Sequence, residues 1–494
     1  MKILIENGNV CSLDLPLKFA QKLYNEFAIR HPNAFYLRTR QRGMQNWDGK
    51  IHYITKTGQF KIGLLPKVYD MCIEMGIKPK VVDMRQPLPK VSKVVTNIGK
   101  YKLRPEQEKA VKAVINNKIG NTPFHIGVLD YTVNAGKTLI MSSLYLSYKK
   151  QLKTLLITND SDWLNQAREE FKQYLPGEDI TFVQGKVLNW SNFTIGMVQS
   201  ISRNMRFYQK ELSQIDMVLI DEADQGGSKQ YQNVITRLFN TRIRIGLSGT
   251  IYMSKLAKDK VKNMNLECFF GKVIAEFKLK DSIKKGYSTK TVVKMVPGKP
   301  WYGNWESDCI SYKEIYDDSI TNCYTAWLMA YNRLLWNLNQ GRYPALVVCK
   351  HIAHCENLYK FFKKKLGDAY NIAYVHVNTP SKLRQQIMKD FREGKIDILV
   401  STTIIARGKN FPKLKYLLNT ASMDSQEKSI QFLGRLVRTD ESKNKVYLDD
   451  LHYPGNYLDR HGKHRKQYYQ RQELKVILLD KLWKKHPNHS LIKS

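Results

Sequence analysis

Two consecutive stretches of this chain alternate short apolar runs with helical segments, and that alternation restricts the fold more than any other feature. The first block places candidate strands at 123–129, 153–158, 193–198, 216–220 and 243–247. The second places them at 345–349, 373–376, 397–401, 415–419 and 445–448. Alternation of this kind predicts, in each block, a parallel sheet covered by helices. At 494 residues the chain is also too long for a single core. The expected organisation is α/β: a small α+β domain over 1–90, a first lobe over 91–280, and a second lobe with basic C-terminal helices over 281–494. QPLPKVSK (86–93) reads as a linker. In the N-terminal part, a helical segment is expected over 15–30, and Asp48-Gly49 reads as a hairpin turn between aromatic-rich strands.

The charge balance narrows the partner. Lys+Arg 80 against Asp+Glu 44 leaves +36, and a protein this basic usually meets a polyanion, with nucleic acid the leading candidate. No stretch approaches 18 consecutive apolar residues, and the polar interruption in MKILIENGNV does not suit a signal peptide. The expectation is a cytoplasmic protein, in a bacterial host if phage-encoded, with no membrane partner. Seven scattered cysteines without a C-x-x-C point to a reducing compartment. Cys349, His351, His354 and Cys355 stand close together, but where a strand turns into a helix and at a spacing that matches no zinc module.

The chemistry starts in VLDYTVNAGKTLIMSSLY (128–145). Gly136-Lys137-Thr138 lies between an apolar strand and a helical pattern. In such a loop, backbone N–H groups wrap phosphates, a lysine reaches them and a hydroxyl holds Mg²⁺. Asn134 and Ala135 complete the loop; Asn tolerates the left-handed backbone it needs. Tyr131 stands where the full pattern has glycine. Further along, IDMVLIDEADQGG (215–227) delivers Asp221 and Glu222 at the tip of a buried strand, the edge where open α/β sheets bind ligands. One carboxylate can hold Mg²⁺ while its neighbour positions or deprotonates a water. In QFLGRLVR (431–438), Gln431, Gly434, Arg435 and Arg438 fall on one helical face, suited to contacting a γ-phosphate. Glycine in mid-helix predicts a close backbone approach.

GKT (136–138), DEAD (221–224), SGT (248–250), ILVSTTIIARGKNFP (398–412) and QFLGRLVR (431–438), in that order, resemble the superfamily 2 helicases over roughly 100–475. The resemblance implies two RecA-like lobes, with ATP and Mg²⁺ as cofactors. It implies Lys137 on the phosphates, Thr138 and Asp221 on Mg²⁺, Glu222 activating water, and Gln431, Arg435 and Arg438 as catalytic contacts, with Gly408 beside the nucleotide. LRPEQEKAV (103–111) looks like the adenine-recognising element, with Arg104 and Gln107. TIGMVQSI (194–201) resembles a segment that touches the nucleic-acid backbone, giving Gln199 and Ser200, and Thr402 is expected to do the same in the second lobe. TNDSDWLNQ (158–166) and Gln431 depart from the DEAD-box RNA helicases, so DNA is the expected track.

RGMQNWDGKIHYI (42–54) and GLLPKV (63–68) resemble the N-terminal domain of the UvsW-like branch-migration helicases of T-even phages. That implies branched DNA as substrate, beside single-stranded and duplex DNA and RNA in R-loops, in recombination, repair and replication. Single-strand-binding or recombination proteins are the implied partners, and a monomer is favoured. Arg38, Arg40, Arg42, Trp47 and Lys50 are the candidate contacts here, although a core anchor is the ordinary role of a ring such as Trp47. An RNA remodeller on the same engine, or a non-catalytic annealing module, is the alternative reading.

Overall fold

A computed structural model describes residues 1–14, 16–40, 43–148, 150–185, 189–252, 259–298, 311–406 and 411–479. The chain divides into two compact units, Met1–Phe277 and Lys278–Ser494.

The first unit is built on a seven-stranded, all-parallel sheet. Across it run Ile180–Val183, Phe193–Met197, Thr154–Thr158, Met217–Asp221, Ile243–Ser248, His125–Tyr131 and Val273–Phe277. Its inner strands are buried along their whole length, as their unbroken apolar runs require. The order of the strands matters for chemistry. Met217–Asp221, Ile243–Ser248 and His125–Tyr131 are neighbours, with Asp221 opposite Leu247 and Asp130 opposite Ser248, so three motif-bearing tips end side by side.

The N-terminal residues form a four-stranded mixed sheet, ordered Gln59–Lys61, Val10–Asp14, Lys2–Ile5, Lys80–Asp83. Its apolar face is continuous with the lobe that follows: Ile3, Ile5, Leu64 and Val68 share one core with Ile126, Ile220 and Phe270. Arg244, fully buried on the Ile243–Ser248 strand, donates to Gly8 O (2.6 Å), Asn9 Oδ1 (2.8 Å) and Phe269 O (3.2 Å). A Cβ at Gly63 would stand 2.0 Å from Glu267 O, so glycine permits the close approach of the two parts.

Two local expectations are corrected here. The helix covers Leu17–Glu26 only, and Ala28–Arg30 is a strand. Lys50–His52 pairs with that strand rather than across Asp48-Gly49, with the helix Ala34–Arg40 between them. Gly49, at φ 77°, turns the chain into the pairing, and His31 N–H donates to its carbonyl. An antiparallel partner, Ala28–Arg30, thus replaces the local hairpin.

The second unit repeats the architecture: Ile372–Val375, Ile398–Thr402, Ala345–Cys349, Tyr416–Asn419, Lys445–His452, Lys290–Pro297 and Val476–Leu478, all parallel. The helix Asn456–Arg471 reads as a basic surface helix, yet Arg465 and Tyr469 are fully buried beneath it. Arg465 pairs with the buried Asp450, which also accepts from Tyr469 and Asn419. His354 and Cys355 lie in the core, where His354 Nδ1 meets Tyr316 Oη at 3.0 Å. Among the described residues no group of three or more His, Cys, Asp or Glu is placed to hold a metal ion, and no helix is long and apolar enough to cross a membrane.

Candidate active site

The loop after His125–Tyr131 turns on two left-handed residues, Asn134 (φ 64°) and Gly136 (φ 70°), before the helix Lys137–Ser147 begins. Only glycine fits at 136: a Cβ there would come 2.3 Å from Gln107 Nε2. Gln107 is buried and uses both ends of its amide on protein. Its Oε1 accepts from Arg104 N–H (2.8 Å) and its Nε2 donates to Ala135 O (2.8 Å). Arg104 Nη2 donates to Asn134 O (3.2 Å). Arg104 and Gln107, the pair expected at the adenine, also brace the loop that leads into Lys137. Tyr131, in place of the pattern's glycine, has a role that its spacing did not suggest. Its buried hydroxyl donates to Glu106 O (2.8 Å), tying the strand to the helix that carries Gln107.

Beside the loop lies the carboxylate tip. Asp221 is buried, and its Oδ1 has no protein partner. Burial pushes its carboxyl above the usual carboxylate range, Asp224 and Asp160 add to the push, and Lys137 and the Glu222 N–H oppose it. Glu222 follows at φ 51°, a left-handed conformation that costs a residue with a side chain on the order of 1–3 kcal/mol and clusters at functional sites. Asp224 accepts from Ser248 Oγ (2.7 Å), which in turn meets Thr250 Oγ1 (3.1 Å), so the second and third motif tips are hydrogen-bonded together. Thr132 Oγ1 and both amide atoms of Asn134 are likewise buried without a protein partner. A buried, unpaired carboxylate oxygen beside a lysine and a loop of free polar atoms fits a hard divalent cation with phosphate. The residues suit Mg²⁺ and a nucleoside triphosphate.

In the second unit, Thr402 ends the Ile398–Thr402 strand and is buried; Gly408 lies outside the described residues. The helix carrying Gln431 and Arg435 covers Gln426–Leu436, with Gly434 buried within it. Arg438 is not on that helix, a correction to the single-face expectation. The chain leaves the helix because its last carbonyls are claimed elsewhere. Buried Lys443 Nζ donates to Leu436 O (3.0 Å), Thr289 N–H to Val437 O (2.8 Å) and Thr289 Oγ1 to Arg438 O (3.0 Å).

The remaining candidates are spread more widely. Gln199 donates to Asn159 O (3.3 Å), and Ser200 Oγ accepts from Gly185 N–H (2.9 Å). Trp47 is half-buried against His31, and its Nε1–H donates to Lys50 O (2.9 Å), so the ring holds its own turn. Arg38 and Arg40 are exposed on the helix Ala34–Arg40, and Lys50 is exposed nearby; Arg42 lies outside the described residues. The same helix exposes Phe35 (78%) and Tyr36 (54%), with Arg40 over the Tyr36 ring. These two aromatics were missed. An aromatic pair in a short stretch without acids, AFYLRTR, was the signal available.

A left-handed loop ending in Gly136-Lys137-Thr138, a carboxylate tip and a second α/β unit of like topology are features shared with the P-loop nucleotide hydrolases. Residues 100–253 match the family model described as type III restriction enzyme, res subunit, and residues 328–440 match the helicase conserved C-terminal domain. The chain belongs to the superfamily 2 helicases, whose members hydrolyse ATP. It is similar to helicase 22 of the Sulfolobus islandicus filamentous virus, 22% identical over 385 residues, covering 72% of this chain and 64% of that one. The chain thus spans less than two thirds of that relative. A solved fragment of an HsdR subunit of a type I restriction enzyme from Vibrio vulnificus YJ016 shares the fold at 16% identity and a TM-score of 0.55, covering 76% of this chain and 67% of that one. The crystal structure of T4 UvsW aligns over 97% of this chain and 99% of that one, at 19% identity and a TM-score of 0.45.

Proposed function

We propose that this chain hydrolyses ATP to move along and unwind DNA, acting on forks, Holliday junctions, R-loops and D-loops. The observation that carries the reading is the buried, unpartnered Asp221 Oδ1 beside the loop that ends in Lys137. The backbone N–H groups at the start of the Lys137–Ser147 helix receive the phosphates, and Lys137 neutralises their charge. Mg²⁺, held by Thr138 and Asp221, supplies further neutralisation when bound. Glu222 orients the attacking water and takes its proton. Gln431, Arg435 and Arg438 stabilise the charge that develops on the transferred phosphoryl group. The Ser248–Asp224 hydrogen bond gives the hydrolysis site a route to the third motif.

The net charge of +36 supports a polyanionic track held by its phosphates with little sequence preference. The exposed Phe35, Tyr36, Arg38 and Arg40 combine rings that stack on bases with cations that hold phosphates, which suits a reader of branch points. The test is ATP turnover without nucleic acid and with single-stranded, duplex and forked DNA and with RNA, alongside strand displacement on fork and four-way junctions. Stimulation by DNA together with junction unwinding is expected. Stimulation by RNA alone would refute the DNA assignment, and no turnover in any arm would refute the motor.

A further inference from the structure

The second unit gathers positive charge where the last turn of Tyr324–Leu338 meets the paired strands Lys290–Pro297 and Lys445–His452. Trp336, in the last turn of Tyr324–Leu338, has three cations about its ring: Lys294 Nζ at 4.9 Å, Arg333 Cζ at 5.0 Å and Arg342 Cζ at 4.8 Å from the centroid. Tyr447 has two, Arg342 Cζ at 3.6 Å and Lys445 Nζ at 5.6 Å. Asp449 is buried among them, but it is committed to Arg333 Nε (3.0 Å), Asn337 Nδ2 (3.1 Å) and Tyr416 Oη (3.1 Å). Among the described residues no carboxylate pairs with Lys294, Arg342 or Lys445. Burial holds the Lys294 ammonium below the usual lysine range; Arg333, Arg342 and Lys445 push it further down, and Asp449 alone opposes.

The magnitudes say that the rings do not balance this cluster. Two cations on one ring lie within about 10 Å of each other and repel by about 1.7 kcal/mol at an effective dielectric constant of about 20. A partly exposed cation–π contact returns about 0.5–1 kcal/mol, so the three contacts on Trp336 return about 1.5–3 kcal/mol against about 5 kcal/mol for three such pairs. The rings line the cations up, and Asp449 sets one negative charge against four cations, so a further anion would offset the repulsion that remains.

We propose that Lys294, Arg342 and Lys445 bind the phosphate backbone of nucleic acid at a second site, built around Trp336 and Tyr447 and not on the motif residues. This rests on the nucleic-acid reading above. Trp336 and Tyr447 hold the cations in a fixed row, so that phosphates meet prearranged charge. Arg333 is a positioning residue, tied down by Asp449 at the base of the row.

The experiment measures forked-DNA affinity of the full chain by fluorescence anisotropy between 50 and 200 mM salt. It compares the wild type, Lys294→Gln/Lys445→Gln and Lys445→Gln. Each phosphate contact contributes a slope of about 0.9 in log K against log salt. The double variant should lose about 1.8 of slope, making its affinity about 12-fold less salt-sensitive across that range. Lys445 is exposed at the start of its strand, so Lys445→Gln tests the site without disturbing the core and should lose about half as much slope. If the wild type binds DNA and both variants keep its slope and affinity, this second site is wrong and the motor reading stands. If the wild type binds no nucleic acid, the reading beneath it has failed as well.

Discussion

Arg465→Met should cost the second unit about 3–5 kcal/mol, the range for breaking a buried ion pair from one side. Both partners are fully buried. Arg465 Nε lies 3.0 Å from each Asp450 oxygen and its Nη2 2.8 Å from Oδ1, while Nη1 and Nη2 also donate to Met423 O (3.1 Å) and Leu451 O (3.0 Å). Methionine fills much of the volume and removes all of these donors. Asp450 then keeps only two neutral donors, Asn419 Nδ2 and Tyr469 Oη, both at 2.8 Å. A buried carboxylate held by neutral groups alone is the expensive state, which is why the loss exceeds that of an ordinary hydrogen bond of about 1 kcal/mol. Against a domain stability of roughly 5–15 kcal/mol, this is more than half in the weaker case. The assay is urea unfolding of the full chain, with Asp450→Asn, Arg465→Met and the double variant forming a cycle. Asp450→Asn/Arg465→Met should recover part of the loss, because no charge is left stranded, giving a coupling of at least about 2 kcal/mol. A single Arg465→Met variant within about 1 kcal/mol of wild type, or additive effects in the cycle, would refute the claim that the buried Arg465–Asp450 pair stabilises the second unit.

Lys137→Ala should abolish ATP turnover yet keep nucleotide-free affinity for forked DNA within about tenfold (~1.4 kcal/mol), as titration would show; a larger loss would mean that Lys137 also holds DNA. Arg438→Ala should lower kcat by about 10³ with little change in ATP affinity, and Arg438→Lys should rescue poorly because it lacks the fork of donors. Wild-type turnover in the lysine variant would sink that assignment. Burial lowers the His354 pKa from 6.5 to about 3. Its folded value is depressed, so the stability it contributes is present above about pH 6.5 and is lost as pH falls towards about 3, at up to about 1.4 kcal/mol per unit. Thermal melting of the second unit should show this acid sensitivity, reduced in His354→Gln; an unchanged profile would place the acid lability elsewhere.

The N-terminal residues bear on how any branch-specific role is tested. Deleting 1–90 would strip Gly8 and Asn9 from buried Arg244 and uncover the shared core around Ile3, Leu64 and Val68. Phe35→Ala, on an exposed ring, removes the proposed contact without that damage.

Composition and short windows of sequence determined the class of this protein. Unbroken apolar runs require strands covered on both faces, and ten of the fourteen strands in the two large sheets were legible from them. Ile180–Val183, Val273–Phe277, Lys290–Pro297 and Val476–Leu478 were not; three of them are edge strands, and all four keep partly exposed positions. The tight loop before the Lys137–Ser147 helix was legible because its residues are consecutive: a left-handed glycine, a lysine, a hydroxyl. Tertiary structure decided what spacing cannot encode. It gave Tyr131 to Glu106, Asp224 to Ser248, Arg244 to the N-terminal turn, and Arg465 to Asp450. It also ended the Gln426–Leu436 helix short of Arg438, through a lysine seven residues beyond Leu436 and a threonine just before the Lys290–Pro297 strand. A helical period extends as far as the sequence pattern does, but the last carbonyls go to whichever donor the fold brings near, and that donor is set by packing across the unit.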